Sequence, residues 1–316
     1  MKPLLGISAC LLGQSVRFNG GHCREDFLVK EMAKVVDWFP VCPEAEAGMG
    51  VPRETIRLQQ REGAVRLIGN DKGEDKTAMI DDVATKRLEE FKTLNLCGYV
   101  LKSASPSCGA WRVKLFQENG VSAKNGRGHF AARLMAEMPW LPIEEEGRLY
   151  DAALRENFLY RICALAEFRT LQAAGSKVAD LCAFHARHKY RLMSHNQTSM
   201  RELGRLLAAN DGKSHCNPVL AENYLLRFSQ IVDKPPRRSN TTNALSHMAG
   251  YLTDHLDSFE RQYLADLIDQ YRRDMIPLIV PILRIREGAR KYKQDYLLQQ
   301  FVLTGFPDQL KLHNGL

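Results

Sequence analysis

The chain has 316 residues, 45% hydrophobic and 26% charged, room for about two domains with real cores. It contains no run of about 18 apolar residues, which excludes a transmembrane helix and leads us to expect a cytoplasmic protein. The net charge of +7 is uneven, with 21 Lys+Arg against 20 Asp+Glu in residues 1–150 and 23 against 17 in residues 151–316, a bias that suits either a polyanionic partner or a solvated face.

The chain starts with the apolar run "LLGISACLLG" (Leu4–Gly13). Lys2 followed by Ile7-Ser8-Ala9-Cys10 has the look of a lipobox, but a secretory signal needs about 15 to 30 residues and the cysteine comes too early. The run is therefore read as a buried parallel strand with Cys10 at its end. Further strands are expected at Trp38–Val41, Gly98–Lys102 and Val113–Phe116. Met79–Leu94 has helical spacing, with Ile80, Val83, Leu88 and Phe91 on one face. "PIEEEGRLYD" (Pro142–Asp151) reads as a linker, being rich in acids and turn formers. Beyond it the periodicity is helical throughout, and "DKPPRRSNTTN" (Asp233–Asn243) reads as a loop between helices. The expected fold is an α/β domain over residues 1–145, with a parallel, Rossmann-like sheet, followed by an all-α domain over residues 151–316.

Eight cysteines in a chain expected in the cytosol are thiols or ligands rather than disulfides. Cys10, Cys42 and Cys108 each follow an expected strand and are flanked by turn formers, as in "PVCPE" and "SASPSCG". Ligands of open parallel sheets collect beyond the carboxyl ends of the strands, so these three can meet there. A lone cysteine is usually a small buried hydrophobe. That is the reading for Cys97, which begins a strand, and for Cys163 and Cys182, in apolar helical surroundings.

"SACLLG" with "VRFNGG", "PVCPE" with "GMGVPRE", and "LKSASPSCG" with "NGRGHF" resemble the TudS-type thiouracil desulfidases over residues 1–145. "FHARHKYRLMSHN", "NALSHMAGYL" and "YLLQQFVLTGFPDQL" resemble the YbgA-type domain. The pairing is similar to the tRNA 4-thiouridine desulfidases (RudS). The resemblance implies a 4Fe-4S cluster on Cys10, Cys42 and Cys108 with one open iron, and a thiolated tRNA as partner. Cys23 is left out of the ligand set. His22 is a rival fourth ligand, but a protein-saturated cluster would serve electron transfer instead.

On that reading the open iron, soft enough to prefer sulfur, polarises the C–S bond of 4-thiouridine. Water adds at C4 and sulfur departs as a sulfide ligand on the cluster, a hydrolysis that needs no electrons. Glu44 is the expected acid and base; its other reading is a turn-stabilising or N-cap carboxylate. Ser105 is expected to hydrogen-bond substrate, with Ser103 and Ser107 near-equals. Lys102 either balances the cluster's charge or faces solvent.

In the second domain His185, His188 and His195 share roughly one helix face, and packing or RNA contact is favoured over a metal site. Lys189, Arg191, Lys234, Arg237 and Arg238 are the expected phosphate contacts. Tyr190 and Tyr251 either stack on a base or belong to the core. Two rival functions remain: a desulfidase of free thiouracil or thionucleosides, and a non-catalytic RNA-binding or redox-sensing module holding zinc or a saturated cluster.

Overall fold

The computed structural model describes residues 2–175, 177–210 and 216–305, so the motif ending "GFPDQL" lies outside the described residues from Phe306 onward. The chain divides into two units, one ending at Asp151 and the other beginning at Ala152.

The first unit comprises β1 (Leu4–Ser8), β2 (Asp37–Val41), a one-turn helix α1 (Pro43–Glu46), β3 (Ile56–Arg61), β4 (Ala64–Gly69) and helix α2 (Thr77–Leu94). It continues with β5 (Gly98–Leu101), β6 (Val113–Phe116), β7 (Ser122–Gly126), helix α3 (His129–Glu137) and β8 (Ile143–Glu145). One sheet runs β2-β1-β5-β8 with every pair parallel. All four residues of β5 are buried, as expected for a strand covered on both faces. Helix α2 buries Ile80, Ala84, Leu88 and Phe91, and the Phe91 ring lies 5.8 Å from that of Tyr99 on β5. Val83, expected on that face, is only half-buried; Ala84 takes the inner position.

The second sheet runs β4-β3-β6-β7, with β3 and β6 parallel at its centre and antiparallel pairs outside. Val113–Phe116 belongs to this sheet, which the sequence reading did not foresee. The expected linker is also corrected: Ile143–Glu145 is the edge strand of the parallel sheet, and Glu144, Glu145 and Glu146 are buried.

In the parallel sheet the chain places β2 on one side of β1 and β5 on the other. Their loops therefore leave in opposite directions and open a crevice at the carboxyl end of β1. That crevice is where Cys10 stands.

The second unit is helical: α4 (Ala152–Ala173), α5 (Val178–His195), α6 (Gln197–Ala208), α7 (Pro218–Ile231), α8 (Arg238–Gly250), α9 (Ser258–Arg272) and α10 (Ile279–Lys291). Two single turns follow at Asp295–Leu298 and Phe301–Thr304. Starts are marked by side-chain caps, Asn196 accepting from Ser199 N–H and Asp257 forming a capping box with Glu260. Only the first part of the expected loop at Asp233–Asn243 is a loop, because α8 begins at Arg238.

Helix α5 runs along α6 and α8 and carries the three histidines into an aromatic core. His188 is fully buried, with Nδ1 3.2 Å from Tyr160 Oη, and His185 Nδ1 lies 3.2 Å from Tyr224 Oη. His195 Nδ1 is 2.8 Å from the Lys234 carbonyl, so each of the three rings is packed in the helical unit and has a hydrogen-bond partner at Nδ1. Burial holds His188 and His195 below the usual imidazole range and lowers His185 to about 4. The unfolded chain therefore takes up protons near pH 6.5 while the folded chain does not. Stability is complete above about pH 6.5 and falls as the pH drops toward 4. For His185 alone the loss between pH 7 and 5 is on the order of 2 kcal/mol. The urea midpoint of helix loss should fall accordingly, and less so in His185→Gln; an unchanged midpoint at pH 5 would contradict this assignment.

Candidate active site

Three loops bring the candidate side chains together. After β1 a single 3-10 turn, Ala9–Leu12, carries Cys10 and closes at Gly13, whose φ of 93° is left-handed and open to glycine at no steric cost. After β2, Cys42 precedes the turn α1, and the Glu46 carboxylate accepts from the Cys42 N–H at 3.2 Å. The loop after β5 carries Cys108, with Ser105 Oγ accepting from the N–H groups of Ser107 (3.2 Å) and Cys108 (3.0 Å).

The "NGRGHF" segment secures that third loop. Gly128 N–H donates to the Gly109 carbonyl at 2.7 Å and His129 N–H to Pro106 at 2.9 Å. A Cβ at Gly128 would fall 2.6 Å from the Ser107 backbone, so only glycine permits this approach. The acids at the end of β8 and just after it hold the other side. Glu145 Oε1 accepts from Ala110 N–H (2.8 Å) and Trp111 N–H (3.2 Å), and Glu146 from Ser103 N–H (2.8 Å) and Lys102 Nζ (2.5 Å).

Cys10, Cys42 and Cys108 line one cavity of about 300 Å³, together with Glu44, Lys102 and Ser105. Cys10 and Cys108 are buried and Cys42 is half-buried. Burial pushes the Cys10 thiol up to about 12, with Cys23 and Cys42 adding to the shift. Burial likewise raises Cys42, and it raises Cys108 further, with Cys42 and Glu44 contributing. Three thiols that disfavour one another's ionisation need a cationic centre to become thiolates together, and an iron-sulfur cluster supplies one. Among the described residues no three His, Cys, Asp or Glu are grouped as ligands to a single metal ion.

Glu44 is not a helix cap. Its Oε2 accepts from Arg53 Nε (2.9 Å) and Nη2 (2.8 Å), and its Oε1 from Ser107 Oγ (2.8 Å). Arg53 also donates to the carbonyls of Gly50 and Val16, both at 2.9 Å, and its side chain is only 4% exposed. The sequence reading missed Arg53, although it sits in the quoted "GMGVPRE" stretch. It also missed Ser8, whose hydroxyl accepts from Lys102 N–H at 3.0 Å and hydrogen-bonds Cys108.

Lys102 lies in the cavity wall, its ammonium shared between Glu146 and Ser103 Oγ (3.0 Å). Ser105 supports the Cys108 loop, Ser107 holds Glu44 and Ser103 holds Glu146, so each serine has a different partner. Cys23 donates its N–H to the Cys10 carbonyl at 3.0 Å but does not line the cavity. His22 is exposed, its Nδ1 accepting from Arg24 N–H at 3.2 Å.

In the second unit one of the expected phosphate contacts, Arg191, is buried, and another, Arg238, is engaged in an ion pair at the surface. Arg191 is 2% exposed, paired with Glu156 at 3.0 Å and lying over the Tyr160 ring. Arg238 donates to the Tyr271 carbonyl at 2.7 Å and pairs with Asp274. Lys189 lies over the rings of Tyr190 and Tyr296, and Tyr190 itself is buried. Tyr251 is 41% exposed and stacks on Tyr296. Lys234 and Arg237 are exposed and line a separate cleft.

Residues 5–146 match the 2-thiouracil desulfurase family, and residues 189–307 match a family described as protein of unknown function (DUF1722). The uncharacterized protein YbgA of Escherichia coli (strain K12) is 33% identical over 162 residues, covering 51% of this chain and 95% of YbgA. The uncharacterized protein YbbK of Bacillus subtilis (strain 168) is 35% identical over 112 residues, covering 33% of this chain and 72% of YbbK. A solved structure described as the 4Fe-4S-dependent thiouracil desulfidase TudS has 29% identity, covers 49% of this chain and 97% of its own, and superposes with a TM-score of 0.40. The chain belongs to the YbgA family and carries, in its first unit, a domain of the 2-thiouracil desulfurase family.

Proposed function

We propose that the protein hydrolyses the C–S bond of a thiolated uracil, that a 4Fe-4S cluster is held by Cys10, Cys42 and Cys108, and that the substrate is 4-thiouridine in tRNA. The reading rests above all on one observation: three cysteines from three strand ends line a single cavity beside the carboxylate of Glu44. When bound through three thiolates, such a cluster supplies an open iron, a soft Lewis acid that prefers a thiocarbonyl to a carbonyl.

The chain's own groups do the proton work. Glu44 takes a proton from the attacking water at the ring carbon and returns it as the tetrahedral adduct collapses, so that water and thiocarbonyl become carbonyl and hydrogen sulfide. Arg53 and Ser107 fix the carboxylate for both steps. Lys102, held by Glu146, places a positive charge beside the anionic site.

For the tRNA assignment the support is the excess of +6 on residues 151–316. The name of the matched family, 2-thiouracil desulfurase, favours a second reading in which a free thiolated base is the substrate. Anaerobic sulfide release from thiolated tRNA, free 4-thiouridine and 2-thiouracil separates the two. We expect kcat/KM on thiolated tRNA to exceed that on either small molecule at least tenfold; equal or better turnover of a free base would replace the tRNA reading by the second.

A further inference from the structure

A cleft of about 1020 Å³ lies wholly in the second unit, between the start of α6, the end of α7 with its following loop, and the start of α8. Arg227, Lys234 and Arg237 line it, all three exposed and without a carboxylate partner among the described residues. Many other cations of this unit are paired: Arg161 with Asp233, Arg187 with Glu167, Arg191 with Glu156, Arg238 with Asp274. Because Asp233 is matched by Arg161, Glu202 is the one other carboxylate in the lining. Arg227 is steadied by Asn223, whose Oδ1 takes the Nε–H at 2.8 Å, which leaves the outer nitrogens of the guanidinium for a ligand.

Three unmatched cations at one concave site, against one unmatched carboxylate, attract an anion with several charged oxygens. The helices α6 and α8, of 12 and 13 residues, both begin at this cleft and add the positive ends of their dipoles. Among the described residues no Phe, Tyr or Trp lines it, and the one lining imidazole, His195, is already stacked on Tyr160, so the lining favours charge over base stacking. The cleft suits phosphates and sugars, the contacts that position a nucleic acid without reading its sequence.

We infer that this cleft binds backbone phosphates of the tRNA, a statement that rests on the tRNA reading above and gives it an address. Arg227→Ala with Lys234→Ala and Arg237→Ala removes three contacts. Arg201→Ala with Arg290→Ala and Lys293→Ala removes the same charge from exposed positions outside the cleft. The probe is thiolated tRNA titrated over a range of salt, with far-UV circular dichroism confirming that every variant is folded.

In the cleft variant the slope of log K against log salt should become shallower by roughly two to three units, and the control should change it by less than about one. If the wild type binds tRNA and the cleft variant matches it at every salt, the cleft is not the contact and the tRNA reading stands without it. If control and cleft variants lose affinity equally, a diffuse positive field is at work and the site is overturned. Displacement of tRNA by micromolar uridine 5′-monophosphate or inorganic phosphate would make it a small-anion site instead. A wild type that does not bind tRNA removes both readings.

Discussion

Serine in place of Cys10, Cys42 or Cys108, one at a time, is expected to abolish both the near-visible absorbance of the anaerobically reconstituted protein and its sulfide release. Soft thiolates hold iron-sulfur clusters, and a serine hydroxyl at the same point is a hard, weakly acidic substitute. On the proposed ligation by three cysteines there is none to spare. The wild type should hold about four irons per chain and each variant close to none, with turnover reduced to background. Cys163→Ser, in the helical unit, and Cys23→Ser, outside the cavity, should keep both colour and activity. The Cys23 variant is the sharper control, because its backbone is bonded to that of Cys10. Loss of iron there would make Cys23 a ligand and close the open position. A wild type that takes up zinc in preference to iron and stays colourless would remove the cluster altogether.

What the sequence made legible follows from how local each signal is. β1, β2 and β5 are short apolar runs that end in turn formers, and their periodicity and punctuation are contained in a few residues. The hairpin β3–β4 was missed because Arg57, Gln59 and Arg61 dilute its apolar positions, although the Glu62-Gly63 turn, with φ of 50° and 76°, was in plain view. Glu144, Glu145 and Glu146 looked like linker because acids in a row usually are. Their partners on the loop after β5 lie 34 to 44 residues back, and no local pattern reports that. Arg191 was legible and overlooked: Phe184, His188, Leu192 and His195 mark the inner face of α5, and position 191 falls on it. The cysteine triad could be read because strand ends in a parallel sheet share an edge, whatever their separation in sequence. Arg53 could not be read as a partner of Glu44 from spacing alone, since of the eight intervening residues those after Glu46 follow no regular element.

Glu44→Gln is expected to lower kcat by about 10² to 10⁴ while leaving iron content and absorbance intact, the usual contribution of an acid/base group that is not itself a ligand. A loss of that size has a competing explanation. Arg53 is almost fully buried and places two donors on Glu44 Oε2, so the glutamine variant leaves a buried guanidinium without its carboxylate, and such orphaned charges cost several kcal/mol. The wall of the cavity could then loosen, and activity would fall for structural reasons. The double variant Glu44→Gln with Arg53→Gln distinguishes the two, because it removes the unpaired charge and keeps a hydrogen-bonding pair of similar shape. Urea midpoints should show the single variant destabilised and the double variant largely recovered. If Glu44 handles the proton, kcat stays low in both. If its task is only to neutralise Arg53, kcat returns with stability in the double variant, and the proton passes instead to a water or to the hydroxyl of Ser105.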